Sequence, residues 1–338
     1  MKNKFLPGRA GAAALVLLAA VALSGCQGKP ASADAQIEVT LNEVAHSIFY
    51  APQYAAIELG YFADEGIDLT LVNGGGADKV MTALVSGDAD IGFMGSEASI
   101  YTYAQGAEDY AVNFAQLTQR AGNFLVAREP DIDFHWDKLK GKKVLGGRAG
   151  GMPQMVFEYI LKKNGIDPKT DLTIDQSISF GLTAAAFTSD DSDYTVEFEP
   201  YATGLELEGS GYVVASLGVD SGYVPYTAYC AKKSYLAENP EIIQKFTNAL
   251  QKGMDYVNTH SAEEIAKTIQ PQFSETPLEN ITAIVSRYKE QDTWKDDLIF
   301  TEDSFDLLQN ILEEAGELET RVPYADLVTT EYAKKAAE

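Results

Sequence analysis

Residues able to do chemistry gather in a few short stretches of this chain. HSIFYAPQYAAIELGYF, from His46 to Phe62, sets one histidine, three tyrosines and two phenylalanines around one proline and one glycine. Such a stretch could stack a ligand ring, carry a proton, or only fill a corner between a strand and a helix. GGRAGGM, from Gly146 to Met152, could hold an acceptor-rich group on free backbone N–H groups beside Arg148, or form a tight turn alone. It departs from G-x-G-x-x-G because Arg148 stands at the second glycine. No Lys-Ser/Thr pair follows Gly151, so it is not a Walker loop either.

Catalytic chemistry finds little support. The three histidines, His46, His135 and His260, pair neither with one another nor with a thiol at metal-ligand spacing. H-E-x-x-H, C-x-x-C and G-x-S-x-G are absent from the sequence. Carboxylates are abundant, and no acid–base pair stands out among them. No metal or other cofactor is expected. Cys230 lies in the apolar, tyrosine-rich run VPYTAYCAKK and reads as a buried, inert thiol.

The elements that would position these residues alternate strand and helix. IEVTLNEVAH alternates from Ile37 and ends in a polar turn. Pro52 suits the first turn of a helix and Gly60 its end. IDLTLV and ADIGFMG read as further strands, each followed by a helix, which is the pattern of a mostly parallel sheet. Strands near 110–118 and 123–127 lead into REPDIDFHWDKLKGKK, a polar stretch that suits a crossover. KKVLGG opens a second β-α series. SGYVPYTAYCAKK reads as a strand returning to the first domain, so that domain is expected in two pieces, with two strands forming a hinge. Beyond Ser234 the pattern is helical. Ser261 with Glu264 has capping-box spacing, and Phe305, Leu308, Ile311, Leu312 and Ala315 form one apolar stripe. These helices are expected to clothe the first domain.

The N-terminus is of another kind. Lys2, Lys4 and Arg9 precede an apolar run from Ala12 to Leu23, and Leu23-Ser24-Gly25-Cys26 follows. This is the form of an export signal ending in a bacterial lipobox, with Cys26 as the lipidated residue. Gln27 to Gln36 is small and polar, as a tether would be. Cleavage before Cys26 leaves 23 basic against 50 acidic residues, a net charge of −27. That excess argues against a nucleic-acid partner. A lipid on Cys26 leaves Cys230 as the single thiol, so no internal disulfide is expected.

The motifs stand in a familiar order. YAPQYAAIELGYFADEGIDLTLV, GGGADKVMTALVSGDADIGFMG, LKGKKVLGG and EFEPYATGLE resemble the nitrate/sulfonate/taurine-type solute-binding proteins of ABC importers. That group includes the NMT1/THI5-like binding proteins for thiamine-pyrimidine precursors, and the resemblance covers about residues 37–260. It implies an α/β type II periplasmic-binding-protein fold, with two α/β lobes joined by two hinge strands and a helical C-terminal region. Lobe 1 is expected over 37–125 and 225–338 and lobe 2 over 126–224, after a signal peptide (1–25) and tether (26–36).

A ligand would sit between the lobes, outside the carboxyl ends of the strands. Carried onto this sequence, the ligand-binding positions are His46, Ser47, Phe49 and Tyr50 after the first strand, and Gly95, Ser96 and Glu97 after the third. Gln119 and Arg120 at the crossover join them. The second lobe supplies Arg148, Gly150, Gly151, Met152, Phe180, Glu197 and Glu199. His46 has two readings, ligand contact or turn cap, whereas Tyr54, Tyr61 and Phe62 belong to the helix body and are expected to pack. The loops carry acidic and aromatic side chains where a simple anion site would carry basic ones. That departure favours a ring-bearing, nitrogen-containing solute over taurine, an alkanesulfonate or nitrate. The resemblance further implies an exported, lipid-anchored monomer, held at the outer face of the cytoplasmic membrane or in the periplasm. Its partners would be a small solute and the permease and ATPase subunits of an importer. A THI5-like pyrimidine synthase and a sensor-coupled receptor are the alternatives.

Overall fold

The computed structural model describes residues 36–178 and 181–338. The expected signal peptide, Cys26 and all of the tether but Gln36 lie outside the described residues, and so does Phe180. Ten strands form two five-stranded sheets. The first contains β1 (Ile37–Glu43), β2 (Ile67–Asn73), β3 (Ile91–Gly95), β4 (Ala111–Thr118) and β10 (Thr227–Lys232), in the order β2-β1-β3-β10-β4. The second contains β5 (Asn123–Ala127), β6 (Lys143–Leu145), β7 (Thr173–Asp175), β8 (Tyr194–Phe198) and β9 (Tyr212–Ser216), in the order β7-β6-β8-β5-β9.

The two sheets repeat one design. Three strands run parallel, and the fourth position holds a strand running the other way, β10 in the first sheet and β5 in the second. Each of these antiparallel strands directly follows a change of sheet. The first change occurs over 119–122, between β4 and β5, and the second between β9 and β10. β5 is hydrogen-bonded to β8 and β9, so the chain leaves the first sheet a few residues before the expected boundary at 125/126. The polar stretch after Ala127 is a loop within the second half. Its composition resembled a linker because exposed loops and linkers share the same residue types.

Local chemistry accounts for the elements around the strand ends. β1 buries Val39 and Leu41 on one face, as its alternation requires. Pro52 lies in the first turn of the helix Ala51–Glu58, and Gly60 ends that region in the left-handed conformation at φ 75°. Gly253, in the long helix Pro240–Thr259, lets that helix cross Ala51–Glu58 closely. A Cβ there would stand 2.3 Å from the Pro52 carbonyl oxygen. Ser261 and Glu264 form the expected reciprocal capping box. Phe305, Leu308, Ile311 and Leu312 are buried along one stripe of Glu302–Ala315. That helix packs on Met152–Lys163 of the second half, and Arg287 and Tyr288 of Leu278–Glu290 also reach that half. The C-terminal helices therefore clothe both halves, since an apolar stripe demands burial without naming the surface that supplies it.

Candidate functional site

HSIFY does not act as a unit. Ser47 caps a single 3-10 turn, Ile48–Tyr50, by accepting from the Phe49 N–H. Its hydroxyl also donates to the Glu199 carbonyl, 2.9 Å away on the other half. The turn sends the two neighbouring rings in different directions. Tyr50 reaches a pocket, while Phe49 is fully buried among Phe198, Tyr226 and Tyr288. His46 turns back into the protein. Its Nδ1 lies 2.9 Å from Glu43 Oε1, its Nε2 lies 2.9 Å from the Gln272 carbonyl, and its ring stacks on Phe273. Both nitrogens face acceptors, an arrangement that favours the protonated ring. The bond to Glu43 raises its pKa against the opposing effect of burial. Gln53 and Tyr54 complete the network by donating to Glu43 Oε2.

The pocket lies at the carboxyl ends of the strands of both sheets and has a volume of about 100 Å³. The first sheet contributes Ser47 and Tyr50 after β1, Gly76 after β2, and Gly95 and Glu97 at and after β3. The second contributes Arg148, Gly151 and Met152 after β6, Gly181 and Thr183 after β7, Glu197 and Phe198 on β8, and Tyr201 beyond it. Tyr226 and Thr227 complete the wall. They sit at the amino end of β10, which runs antiparallel and so brings its start to the edge where the other strands end.

Two carboxyl groups dominate the electrostatics. Glu97, the first residue of the helix Glu97–Ala104, is 3 % exposed, and burial pushes its pKa to about 7. Its own backbone N–H, Arg148 and the N–H of Met152 favour the ionised form and only partly offset that burial. Among the described residues its Oε2 has no hydrogen-bond partner. The carboxyl lies so close to Gly95 that a Cβ there would stand 2.1 Å from Oε2. Glu197 is 2 % exposed and is likewise pushed to about 7 by burial. It accepts from Thr183 Oγ1 at 2.9 Å and Thr195 Oγ1 at 2.6 Å. Arg148 is half-exposed and faces Asp78 at 3.6 Å. The Tyr226 hydroxyl is buried without a partner among the described residues. The site thus offers aromatic faces, two carboxyl groups near their titration midpoint at neutral pH, and one arginine already facing a carboxylate.

Of the positions expected to bind ligand, the structure gathers Ser47, Tyr50, Gly95, Glu97, Arg148, Gly151, Met152 and Glu197 on this wall. His46 and Phe49 are held elsewhere, as above. Ser96 donates to the Pro225 carbonyl. Gln119 donates to the carbonyls of Asp292 and Trp294, and Arg120 donates to the Gly218 carbonyl while stacking on Tyr223. Gly150 is tied to Gln154 and to the Tyr101 hydroxyl. Glu199 is occupied by Arg287 at 2.6 Å and by Thr203. Gly76, Thr183 and Tyr201 escaped the sequence reading although they follow strands and obey the strand-end rule. Tyr226 precedes a strand, so that rule could not find it.

Residues 48–264 match the family model described as NMT1/THI5 like. The chain belongs to the NMT1/THI5-like family. YtlA of Bacillus subtilis, which carries the name of a binding protein, is 47 % identical over 88 % of this chain and 89 % of its own. The 4-amino-5-hydroxymethyl-2-methylpyrimidine phosphate synthase THI11 of Saccharomyces cerevisiae is 26 % identical, over 62 % of this chain and 63 % of its own. The solved alkanesulfonate-binding protein SsuA of Xanthomonas axonopodis pv. citri, bound to MOPS, superposes with a TM-score of 0.69 at 18 % identity. That match covers 88 % of this chain and 98 % of SsuA, and it identifies the shared architecture as the type II periplasmic-binding-protein fold.

Proposed function

We propose that this chain is a solute-binding protein of an ABC importer, anchored outside the cytoplasmic membrane by lipid on Cys26. In this reading it captures a small, ring-bearing, nitrogen-containing solute in the pocket between the two sheets. One observation carries the reading: the pocket joins the rings of Tyr50, Phe198, Tyr201 and Tyr226 to two buried carboxyl groups. Rings stack on an aromatic solute, and buried carboxylates want N–H donors. The name of YtlA supports binding without turnover, and the mobile-lobe mechanism of the fold suits capture and release.

A thermal-shift screen tests the proposal. The set comprises aminopyrimidines and ring-bearing amidines against taurine, alkanesulfonates and nitrate. A ligand at 100 times its Kd adds about 2.7 kcal/mol. In a chain of this size that corresponds to a rise in Tm of roughly 5 °C. Shifts confined to the nitrogenous rings are expected. Shifts confined to sulfonates or nitrate would overturn the ligand class and keep the binding role. Conversion of a pyrimidine precursor to product would overturn the binding role itself.

A further inference from the structure

Glu97 and Glu197 differ in one respect that burial hides. Glu197 has two hydroxyl donors of its own, Thr183 and Thr195. Glu97 has no side-chain donor, and its Oε2 is the one buried carboxylate oxygen without a partner among the described residues. The basic group that acts on it, Arg148, is half-exposed and shares its charge with Asp78. The remaining groups around it are Tyr50, Tyr101 and Tyr226, whose hydroxyls burial holds neutral, with Glu197 on the opposite sheet. A carboxyl in this setting keeps its proton unless something donates to it.

We propose that ligand capture here is coupled to a proton: the free pocket carries one on the Glu97 carboxyl, and a ligand nitrogen donating an N–H to that carboxyl takes its place. The displaced proton goes to solvent, the ligand keeps its own, and the charge on Glu97 is met by the ligand N–H. This inference rests on the nitrogenous ligand class proposed above and adds the residue that selects it. A ligand that only accepts at this position meets a proton donor on Glu97, not an acceptor, so acidic and neutral solutions favour different partners. The pKa of about 7 agrees with the geometry and places the exchange in the neutral range. Met152 gives the exchange a route to the second half. Its N–H, at the start of Met152–Lys163, acts on the Glu97 carboxylate from the other sheet, so ionising Glu97 strengthens a contact across the pocket.

Calorimetric titration of the full chain tests this, with benzamidine and 4-amino-5-hydroxymethyl-2-methylpyrimidine as probes. Benzamidine stays charged throughout the window. Binding heats in phosphate and Tris at pH 7 should differ by the release of about half a proton, and benzamidine should bind roughly tenfold tighter at pH 8 than at pH 6. Glu97→Gln should abolish both effects, while Glu97→Asp and Glu197→Gln should keep the proton release. Equal heats in the two buffers would overturn the proposal, and so would release that survives Glu97→Gln or disappears in Glu197→Gln. If Glu97→Gln does not fold, the wild-type buffer dependence together with the Glu197→Gln result decides. Binding of taurine with no binding of either probe would overturn this inference and leave the solute-binding role standing. Absence of binding by all of them would overturn both.

Discussion

Arg287→Ala should destabilise the protein in a pH-dependent way. Arg287 reaches from Leu278–Glu290 to the second half, with Nη1 2.6 Å from Glu199 Oε1 and Nη2 2.9 Å from Glu206 Oε2. Its guanidinium also lies over the Phe124 ring at 5.2 Å. Glu199 is 1 % exposed, and burial raises its pKa, with Arg287 the largest opposing influence. Breaking a buried pair by removing one partner costs about 3–5 kcal/mol. Arg287 is a third exposed, and Thr203 still donates twice to Glu199, which lowers the expectation to about 2–3 kcal/mol at pH 8. The substitution moves the folded pKa of Glu199 further above its unfolded value. A carboxyl with a raised folded pKa holds its proton better in the folded state, so the loss grows as pH rises from 5 to 8. Urea unfolding of the wild type, Arg287→Ala, Glu199→Gln and the double variant at pH 5 and pH 8 measures it. A loss equal at the two pH values would refute the reasoning. Strict additivity of the two substitutions would refute it as well, because residues in one ion pair must couple.

Gly253→Ala should lower the unfolding free energy in urea by about 1–2 kcal/mol, because overpacking against the Pro52 carbonyl and Ala56 outweighs the gain in helix propensity; an unchanged free energy would show that the two helices part freely. His46→Gln should flatten one part of the stability profile. The raised pKa of His46 means its contribution is fully present below the unfolded value and disappears as pH rises through the folded one, so the difference between wild type and variant should shrink at alkaline pH. Cys230 is fully buried, and burial pushes its thiol up to about 12, so thiol reagents at pH 8 should label it only on unfolding. Labelling of the native chain as fast as in urea would contradict that burial.

The alternation of IEVTLNE and the Pro52 and Gly60 signals placed the first strand and helix, because period and turn chemistry are local. What failed was directional. Phe49 and Tyr50 are neighbours in a 3-10 turn, and nothing in their types says which ring meets a core and which a pocket. Glu197 and Glu199 stand two apart, the spacing of one strand face, and both are buried, yet Glu199 lies just beyond the strand and they serve different partners. Glu197 ends on two threonines of its own half, and Glu199 on Arg287, 88 residues further along the chain. His46 was drawn away from the pocket by Glu43, Gln272 and Phe273, two of which lie more than 200 residues distant. The first change of sheet was misplaced because β5 is buried along its whole length and reads equally well in either sheet.

The electrostatics of the pocket bear on the ligand more strongly than its shape does. Once Glu97 and Glu197 are ionised, above the neutral range, a sulfonate or nitrate seated about 5 Å from either carboxylate would be repelled by roughly 3 kcal/mol at an effective dielectric of about 20. Arg148 could offset part of this, but it is half-exposed and faces Asp78, so its pull is screened and shared. An N–H donor reverses the sign of each of these terms. It also recovers free energy that the empty pocket forgoes, since a buried carboxyl whose pKa stands near 7 destabilises the ligand-free fold as pH rises from the ordinary carboxylate range. Gly95 of the first sheet and the Met152 N–H of the second half both lie against this carboxyl, so a ligand that ionises Glu97 and pairs with it removes that cost at a point the two halves share. The donor that satisfies the orphan oxygen therefore acts where both halves meet, the place at which a ligand can bind one arrangement of the halves more tightly than another.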